Sequence, residues 1–133
     1  MLVEVELYQV VITEGSNVQS IVLKEKHTER VFVISIGYNE AMAIDRKIKE
    51  FQVPRPLTHD LLQNLIDALG GKLRQVVLNA FKEGTYYALL VIEQGGNKVE
   101  VDARPSDAIA LAVRIGCPIF AEEDVIRKAS EGE

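Results

Sequence analysis

The stretch that decides the fold is residues 99–114, which read VEVDARPSDAIALAVR. Its first four residues alternate valine with an acidic residue, which is the two-residue period of a strand. After a short connection, apolar side chains occupy nearly every position from Ala108 to Ile115, and this predicts a helix that is buried on all sides. A strand that leads directly into a buried helix indicates a sheet with helices packed on it.

The same pattern extends in both directions from this stretch. Strands are predicted upstream at residues 73–81 and 85–92, each followed by a turn that contains glycine, and the deciding strand itself covers 98–102. Ser106 is expected to cap the helix from Asp107 to Ile115. An extended segment at 119–120 and a short last helix at 122–129 complete this half of the chain.

The N-terminal half predicts a similar order of elements. Strands are expected at residues 1–12, 18–23 and 31–36, followed by a helix that ends before Pro54. Thr58 is expected to cap a second helix. Residues at helical spacing are Ala41, Ile44, Ile48 and Phe51 in the first helix, and Leu61, Leu62, Leu65, Ile66 and Leu69 on the apolar face of the second. The predicted fold class is therefore α+β, a mixed and largely antiparallel sheet packed with helices.

The two halves suggest a duplicated βββαα unit. Asn39-Glu40-Ala41 lies opposite Ser106-Asp107-Ala108, and both triplets open a helix. The identity between the halves is weak, so a coincidence of two similar units remains the alternative. The chain is expected to form one domain over residues 1–127, with a frayed tail over 128–133 because no large apolar residue follows Ile126.

Composition narrows the classes of protein. Hydrophobic residues make up 47% of the chain, which argues against disorder, and the net charge of −5 argues against a broad basic face for nucleic acid. The sequence has no apolar run of about 18 residues and no signal-peptide pattern, so a cytoplasmic protein is expected. The lone Cys117 is interpreted as a core residue, and His27 and His59 as surface residues.

The corner between the deciding strand and its helix carries the candidate chemistry. A helix N-terminus offers free N–H groups to an anion, and Arg104 and Ser106 lie where they would bind a phosphate. Asp102 and Asp107 flank the corner and are expected to hold Mg²⁺ or Mn²⁺. Glu100 shares the strand face of Asp102 and would order a water. Arg104, Asp107 and Asp102 are therefore the candidate catalytic residues.

A purely structural interpretation of the same residues stays open. Ser106 is an ordinary helix cap, and Arg104 would simply pair with Asp102 or Asp107. An acidic residue in the first turn stabilises a helix by about 0.3–1 kcal/mol through the helix dipole.

The chain also resembles a known family. Residues 101–114, VDARPSDAIALAVR, followed by CPIFA at 117–121, are similar to the hallmark of the bifunctional nuclease domain family. The segments YYALLV at 86–91 and RVFVISIGYNEA at 30–41 and the helix that begins at Thr58 fit the same family. The resemblance covers roughly residues 2–127. It implies an α+β fold, a dimer, and the cleavage of both DNA and RNA that is described for plant members.

Two functions follow as hypotheses. The first is a metal-dependent nuclease in which Arg104 binds phosphate and Asp102 and Asp107 hold the cation. The second is a non-enzymatic dimeric module that binds a small anion or a protein partner. An accessible Arg104 with both aspartates in one cavity favours the first, and a buried, paired Arg104 favours the second. A homodimer is expected in either case, because the chain is short for the apolar surface it must cover.

Overall fold

The computed structural model describes residues 1–50 and 52–131, and within them the chain forms seven strands and four helices. The strands are β1 (Leu2–Val11), β2 (Val18–Glu25), β3 (Val31–Gly37), β4 (Gly71–Lys82), β5 (Thr85–Gln94), β6 (Asn97–Ala103) and β7 (Ile119–Glu122). The helices are α1 (Tyr38–Ile48), α2 (Thr58–Ala68), α3 (Pro105–Ile115) and α4 (Glu123–Ser130).

All the strands belong to one sheet with the order β3-β2-β1-β7-β4-β5-β6. Every pairing is antiparallel except that of β7 with β4, which is parallel. The sheet is therefore mixed and largely antiparallel, and the predicted α+β class is confirmed. Each half contributes a three-stranded meander, but β7 joins the two meanders from the second half alone. The topology does not establish the predicted duplication.

The deciding stretch forms β6 and α3, as the sequence predicts. Helix α3 lies against α1, α2, β4 and β5, and its residues from Ala108 to Ala112 are all buried. Alanine at alternate positions of this helix lets its neighbours approach closely. The apolar character of α3 is thus explained by the core of the single chain.

In two helices the residue predicted to be the N-cap lies inside the helix. Helix α3 starts at Pro105 with Arg104 as its N-cap residue, so Ser106 is not the cap. Proline is well suited to the first helical position because its fixed φ angle is already helical and its missing N–H needs no partner. Helix α2 starts at Thr58 with Leu57 as its N-cap, and the Asp60 carboxylate accepts the Leu57 N–H at 2.9 Å.

Two helix ends also differ from the prediction. Helix α1 ends at Ile48, earlier than the expected end before Pro54, and Glu50 has a left-handed φ of 55° that an α-helix cannot continue through. Phe51 lies outside the described residues. Helix α4 continues to Ser130, past the predicted end of the domain, and Ala129 packs against the core. Residues 132 and 133 lie outside the described part of the chain, and fraying of the end stays a prediction.

The apolar face predicted for α2 is split by the structure. Leu62 and Ile66 are partly buried, whereas Leu61, Leu65 and Leu69 are about half exposed or more. The prediction that all five leucine and isoleucine residues pack inward was wrong, because α2 contacts α3 and β4 along one side only.

Two smaller expectations are answered by the fold. Cys117 is partly buried against the core, and burial raises the pKa of its thiol, so the interpretation as a packing residue is confirmed. Among the residues that the structure describes, no helix is long and apolar enough to cross a membrane.

Candidate functional site

Three helix N-termini meet at one cleft. The first turns of α1, α2 and α3 line a cavity of about 330 Å³, and the third residue of each helix is acidic: Glu40, Asp60 and Asp107. A carboxylate at this position is stabilised by the positive end of the helix dipole. The helix packing therefore gathers polar residues that lie far apart along the chain.

A histidine–aspartate pair forms one wall of the cleft. The Nε2 atom of His59 lies 2.9 Å from Oδ1 of Asp107, which joins the first turn of α2 to that of α3. The His59 side chain is only 10% exposed, and it is the one residue of α2 that is buried in the described structure. The interpretation of His59 as a surface residue was wrong, whereas His27 is exposed as predicted.

His59 lines the cleft, and its second ring nitrogen, Nδ1, has no protein partner among the described residues. No hydrogen bond to Nδ1 is formed among residues 1–50 and 52–131, and no buried side-chain nitrogen or oxygen of that part lacks a partner. Nδ1 must therefore keep contact with solvent. Because a carboxylate accepts the Nε2–H, the neutral ring carries its lone pair on Nδ1, where it can accept a proton.

Arg104 lies across the mouth of the same cleft. Its Nε donates to Oδ2 of Asp107 at 3.1 Å, and its Nη2 lies 3.5 Å from a carboxylate oxygen of Glu40. The hydrogen bond to Asp107 raises the pKa of Arg104, which stays charged. Its side chain is nevertheless 67% exposed. The guanidinium is therefore accessible to a ligand, which is one of the two conditions expected of a nuclease site; the other, Asp102 in the same cavity as Asp107, is not met.

A buried arginine fixes the three helices behind the cleft. Arg114, whose side chain is 5% exposed, donates from Nε to Asp60 at 2.9 Å. Its Nη1 also donates to the carbonyl oxygen of Ala43 in α1 at 3.5 Å. The Leu57 N–H and then Arg114 lower the pKa of Asp60 below its ordinary value. Arg114 thus links α3 to the start of α2 and to α1, and it holds His59 next to Asp107.

The predicted site residues are brought together only in part. Arg104 and Asp107 line the cleft, but Asp102 does not. Asp102 is exposed on the edge strand β6 and pairs with Leu89, so it projects from the face opposite to Val101. Glu100 shares that exposed face and lies 3.6 Å from Lys98. Ser106 is buried and lines a different hollow, beside β3 and the β4–β5 turn.

The predicted metal ligands do not fit a divalent cation as placed. Asp102 lies outside the cleft, and both carboxylate oxygens of Asp107 are already hydrogen-bonded, one to His59 and one to Arg104. In the part of the chain that the structure describes, no three His, Cys, Asp or Glu residues form a group that could hold a metal ion.

Sequence reasoning missed His59, Glu40 and Arg114 as members of the site. One signal was present for Glu40, because Asn39-Glu40-Ala41 aligns with Ser106-Asp107-Ala108 at a helix start. That alignment gives Glu40 the position of Asp107, and in the structure the two carboxylates approach the same Arg104. For His59 and Arg114 the sequence holds no comparable signal, since their partners are 48 and 54 residues away.

The chain is similar to known proteins over most of its length. The family model described as "Bifunctional nuclease domain" matches residues 21–132. An uncharacterized protein of Mycobacterium tuberculosis is 40% identical over 126 residues, which cover 95% of this chain and 75% of the relative. Bifunctional nuclease 2 of Oryza sativa subsp. japonica is 30% identical over 81% of this chain and 34% of its own length. Bifunctional nuclease 2 of Arabidopsis thaliana is 35% identical over 51% of this chain and 22% of its own length.

Proposed function

Because this chain belongs to the bifunctional nuclease domain family, we propose that it hydrolyses phosphodiester bonds of DNA and RNA in the cleft between α1, α2 and α3. One observation carries the proposal: His59 is held by Asp107 at 2.9 Å beside the accessible guanidinium of Arg104. An imidazole oriented by a carboxylate and placed next to a cation suits general-base attack on a phosphodiester.

Each residue of the cleft takes a separate role. Asp107 accepts the Nε2–H of His59 and so keeps the basic lone pair on Nδ1, which is open to solvent. Arg104 binds non-bridging oxygens of the phosphate, because a planar guanidinium matches two phosphate oxygens at once. Glu40 shares Arg104 with Asp107 and helps to aim the guanidinium into the cleft.

The proposed step needs only water as the second reactant. The water oxygen attacks phosphorus while one of its protons passes to Nδ1 of His59. The bond from phosphorus to the leaving sugar oxygen breaks, and that oxygen takes a proton from solvent. His59, now cationic and stabilised by Asp107, later returns its proton to water. The nucleophile is not a sugar hydroxyl, so the same cleft would act on DNA and RNA.

The proposed step does not use Mg²⁺ or Mn²⁺, since the two aspartates that were expected to hold the cation are not in one cleft. The test is the cleavage of labelled DNA and RNA strands by the purified chain, with EDTA or with added Mg²⁺. Cleavage that survives EDTA supports the histidine mechanism, and cleavage that EDTA abolishes contradicts it. A protein that cleaves neither strand under either condition contradicts the proposed function.

Arg104→Ala is expected to lose activity and keep stability. The variant removes the phosphate contact, so we expect KM for a DNA strand to rise about tenfold or more, a loss of roughly 1.4 kcal/mol in binding. The ion pairs of Arg104 with Asp107 and Glu40 are exposed, and each exposed pair contributes about 0.2–1 kcal/mol to the free energy of unfolding. Thermal melts beside the cleavage assay measure both effects. A large fall in melting temperature with unchanged KM would indicate a structural corner instead.

The alternative, a dimeric binding module, is favoured by one surface feature. Leu61, Leu65 and Leu69 form an exposed stripe on α2, and the neighbouring exposed residues Asn64 and Ala68 are uncharged. Such a stripe in a chain of net charge −5 can meet its own copy without like-charge repulsion. We therefore propose that the chain is a homodimer through α2, a state compatible with either function.

The dimer proposal is tested by mass in solution. Light scattering at micromolar concentration is expected to give about twice the chain mass of 14.8 kDa. Leu65→Glu places a charge in the centre of the stripe and is expected to give the monomer mass. Val18→Glu, at an exposed apolar position on β2, serves as the control and should stay dimeric. A monomeric parent protein would contradict this proposal.

A further inference from the structure

We propose that the cleft continues into a second phosphate-binding subsite formed by Arg46 and Lys47, which makes the substrate a nucleic-acid strand and not a single nucleotide. This inference rests on the proposed function, because it assigns the substrate class of the same site. Three features support it: two cavities adjoin each other, the second cavity is lined by cations without an ion pair, and α1 spaces these cations from Arg104.

The catalytic cleft adjoins a second cavity. A second cavity of about 360 Å³ lies beside the first and shares Arg46, Leu57 and Arg114 with it. Arg46 stands on the boundary and lines both cavities, whereas Lys47 lines only the second. Arg46 is therefore the cation that a strand bound in both cavities would contact from either side.

The cations of the second cavity are available to a ligand. Neither Arg46 nor Lys47 forms an ion pair within 4.0 Å among residues 1–50 and 52–131, unlike Arg104 and Arg114. Two acidic residues line this cavity. Asp60 is bound by Arg114 and by the Leu57 N–H, and Lys47 also helps to lower its pKa, whereas Glu50 offsets one of the two cations. The balance of uncommitted charge in the passage is therefore positive.

The geometry of α1 sets the distance between the two subsites. Glu40, which contacts Arg104, precedes Arg46 and Lys47 by six and seven residues along the helix. At about 1.5 Å per residue, the backbone of Lys47 lies roughly 10 Å along the helix axis from that of Glu40. Lys47 lines only the second cavity, so a strand whose first phosphate binds Arg104 would reach Arg46 and Lys47 with a later phosphate. A track of three cations suits a single strand, because an acidic chain offers no broad basic face to a duplex.

The first test separates the subsite from the chemistry. The double variant Arg46→Gln/Lys47→Gln is compared with the parent on a labelled single-stranded ten-nucleotide DNA and on bis(p-nitrophenyl) phosphate, a diester with one phosphate. We expect the loss in kcat/KM on the strand to exceed the loss on the small ester at least tenfold. Equal losses on both substrates, or no loss on the strand, would overturn the subsite. Lys49→Gln is the matched control, because Lys49 caps the same helix, pairs with Asp45 and lines neither cavity.

The second test does not depend on catalysis. Binding of the same strand is followed by fluorescence anisotropy over a series of salt concentrations. Each phosphate contact to a single strand contributes about 0.7 to the slope of log K against log salt, so the double variant, which removes one phosphate contact, is expected to reduce the size of that slope by roughly 0.7. An unchanged slope, or a parent that does not bind the strand, would overturn the subsite. Normal binding without cleavage would leave the subsite standing and contradict only the proposed hydrolysis.

Discussion

Replacing His59 by glutamine is expected to lower the cleavage rate of a DNA strand by about 10²–10⁴-fold, the usual contribution of a general base. Glutamine is close to histidine in length and its amide can still donate a hydrogen bond to Asp107. The amide cannot take a proton from water, so the variant keeps the contact and removes the chemistry. The melting temperature is therefore expected to stay close to that of the parent protein.

The chain provides its own control for this substitution. His27 is the only other histidine, and it is exposed in the turn between β2 and β3. His27→Gln makes the same chemical change far from the cleft and should leave the cleavage rate unchanged. A His59→Gln protein that cleaves at the parent rate would show that the imidazole takes no part in the reaction.

Replacing Arg114 by methionine is expected to give the largest loss of stability of the substitutions considered. Methionine keeps most of the length of the side chain but removes the hydrogen bonds to Asp60 and to the Ala43 carbonyl oxygen. Breaking a fully buried pair costs about 3–5 kcal/mol. Because Asp60 is 34% exposed and solvent can compensate its charge, we expect a smaller loss of about 2 kcal/mol in the free energy of unfolding.

Acid pH should reduce the difference between the parent and Arg114→Met. The Leu57 N–H and Arg114 hold the pKa of Asp60 below its ordinary value of 3.8. A depressed folded pKa means that the ionised carboxylate stabilises the fold above that ordinary value, and that the stabilisation is lost as pH falls through the folded pKa. Melts at pH 7 and at decreasing acid pH test this. A difference that stays constant below pH 3.8 would contradict the role given to the pair.

Arg127→Met is the matched control for stability. Arg127 lies on α4 with its side chain 52% exposed and pairs with Asp124 and Glu131. Such exposed pairs contribute about 0.2–1 kcal/mol, so this variant should melt close to the parent. If Arg114→Met and Arg127→Met melt together, burial of Arg114 does not stabilise the three helices as we infer.

The elements of the fold could be predicted because each carries a local periodic pattern. The alternation at 99–102 and the apolar run from Ala108 to Ile115 identify β6 and α3 before any contact is known. The order of strands could not be predicted, since β7 has four residues and enters between β1 and β4 from 37 residues beyond β4. The exposure of Leu61, Leu65 and Leu69 was missed for the same reason, because burial depends on what packs against a helix.

The candidate site could be predicted only where it is local. Arg104 and Asp107 are three residues apart at one helix start, and sequence reasoning placed both correctly in the corner. Asp102 was misjudged because strand alternation turns its side chain away from the cleft. The helix also starts two residues earlier than expected, at Pro105. His59 joins Asp107 only through the packing of α2 on α3, a contact between residues 48 positions apart.

The most direct measurement breaks the pair of His59 and Asp107 by a substitution at Asp107. Asp107→Asn keeps the size of the side chain and leaves Arg104 exposed, but an amide does not fix the tautomer of His59 or stabilise its cation. The rate at which this variant cleaves a labelled DNA strand is measured beside its melting temperature. We expect a fall of at least about 10²-fold in rate, with a loss of about 0.5 kcal/mol in stability from the helix dipole. A rate equal to that of the parent, or a parent protein without cleavage, would contradict the assignment of this cleft as a nuclease site.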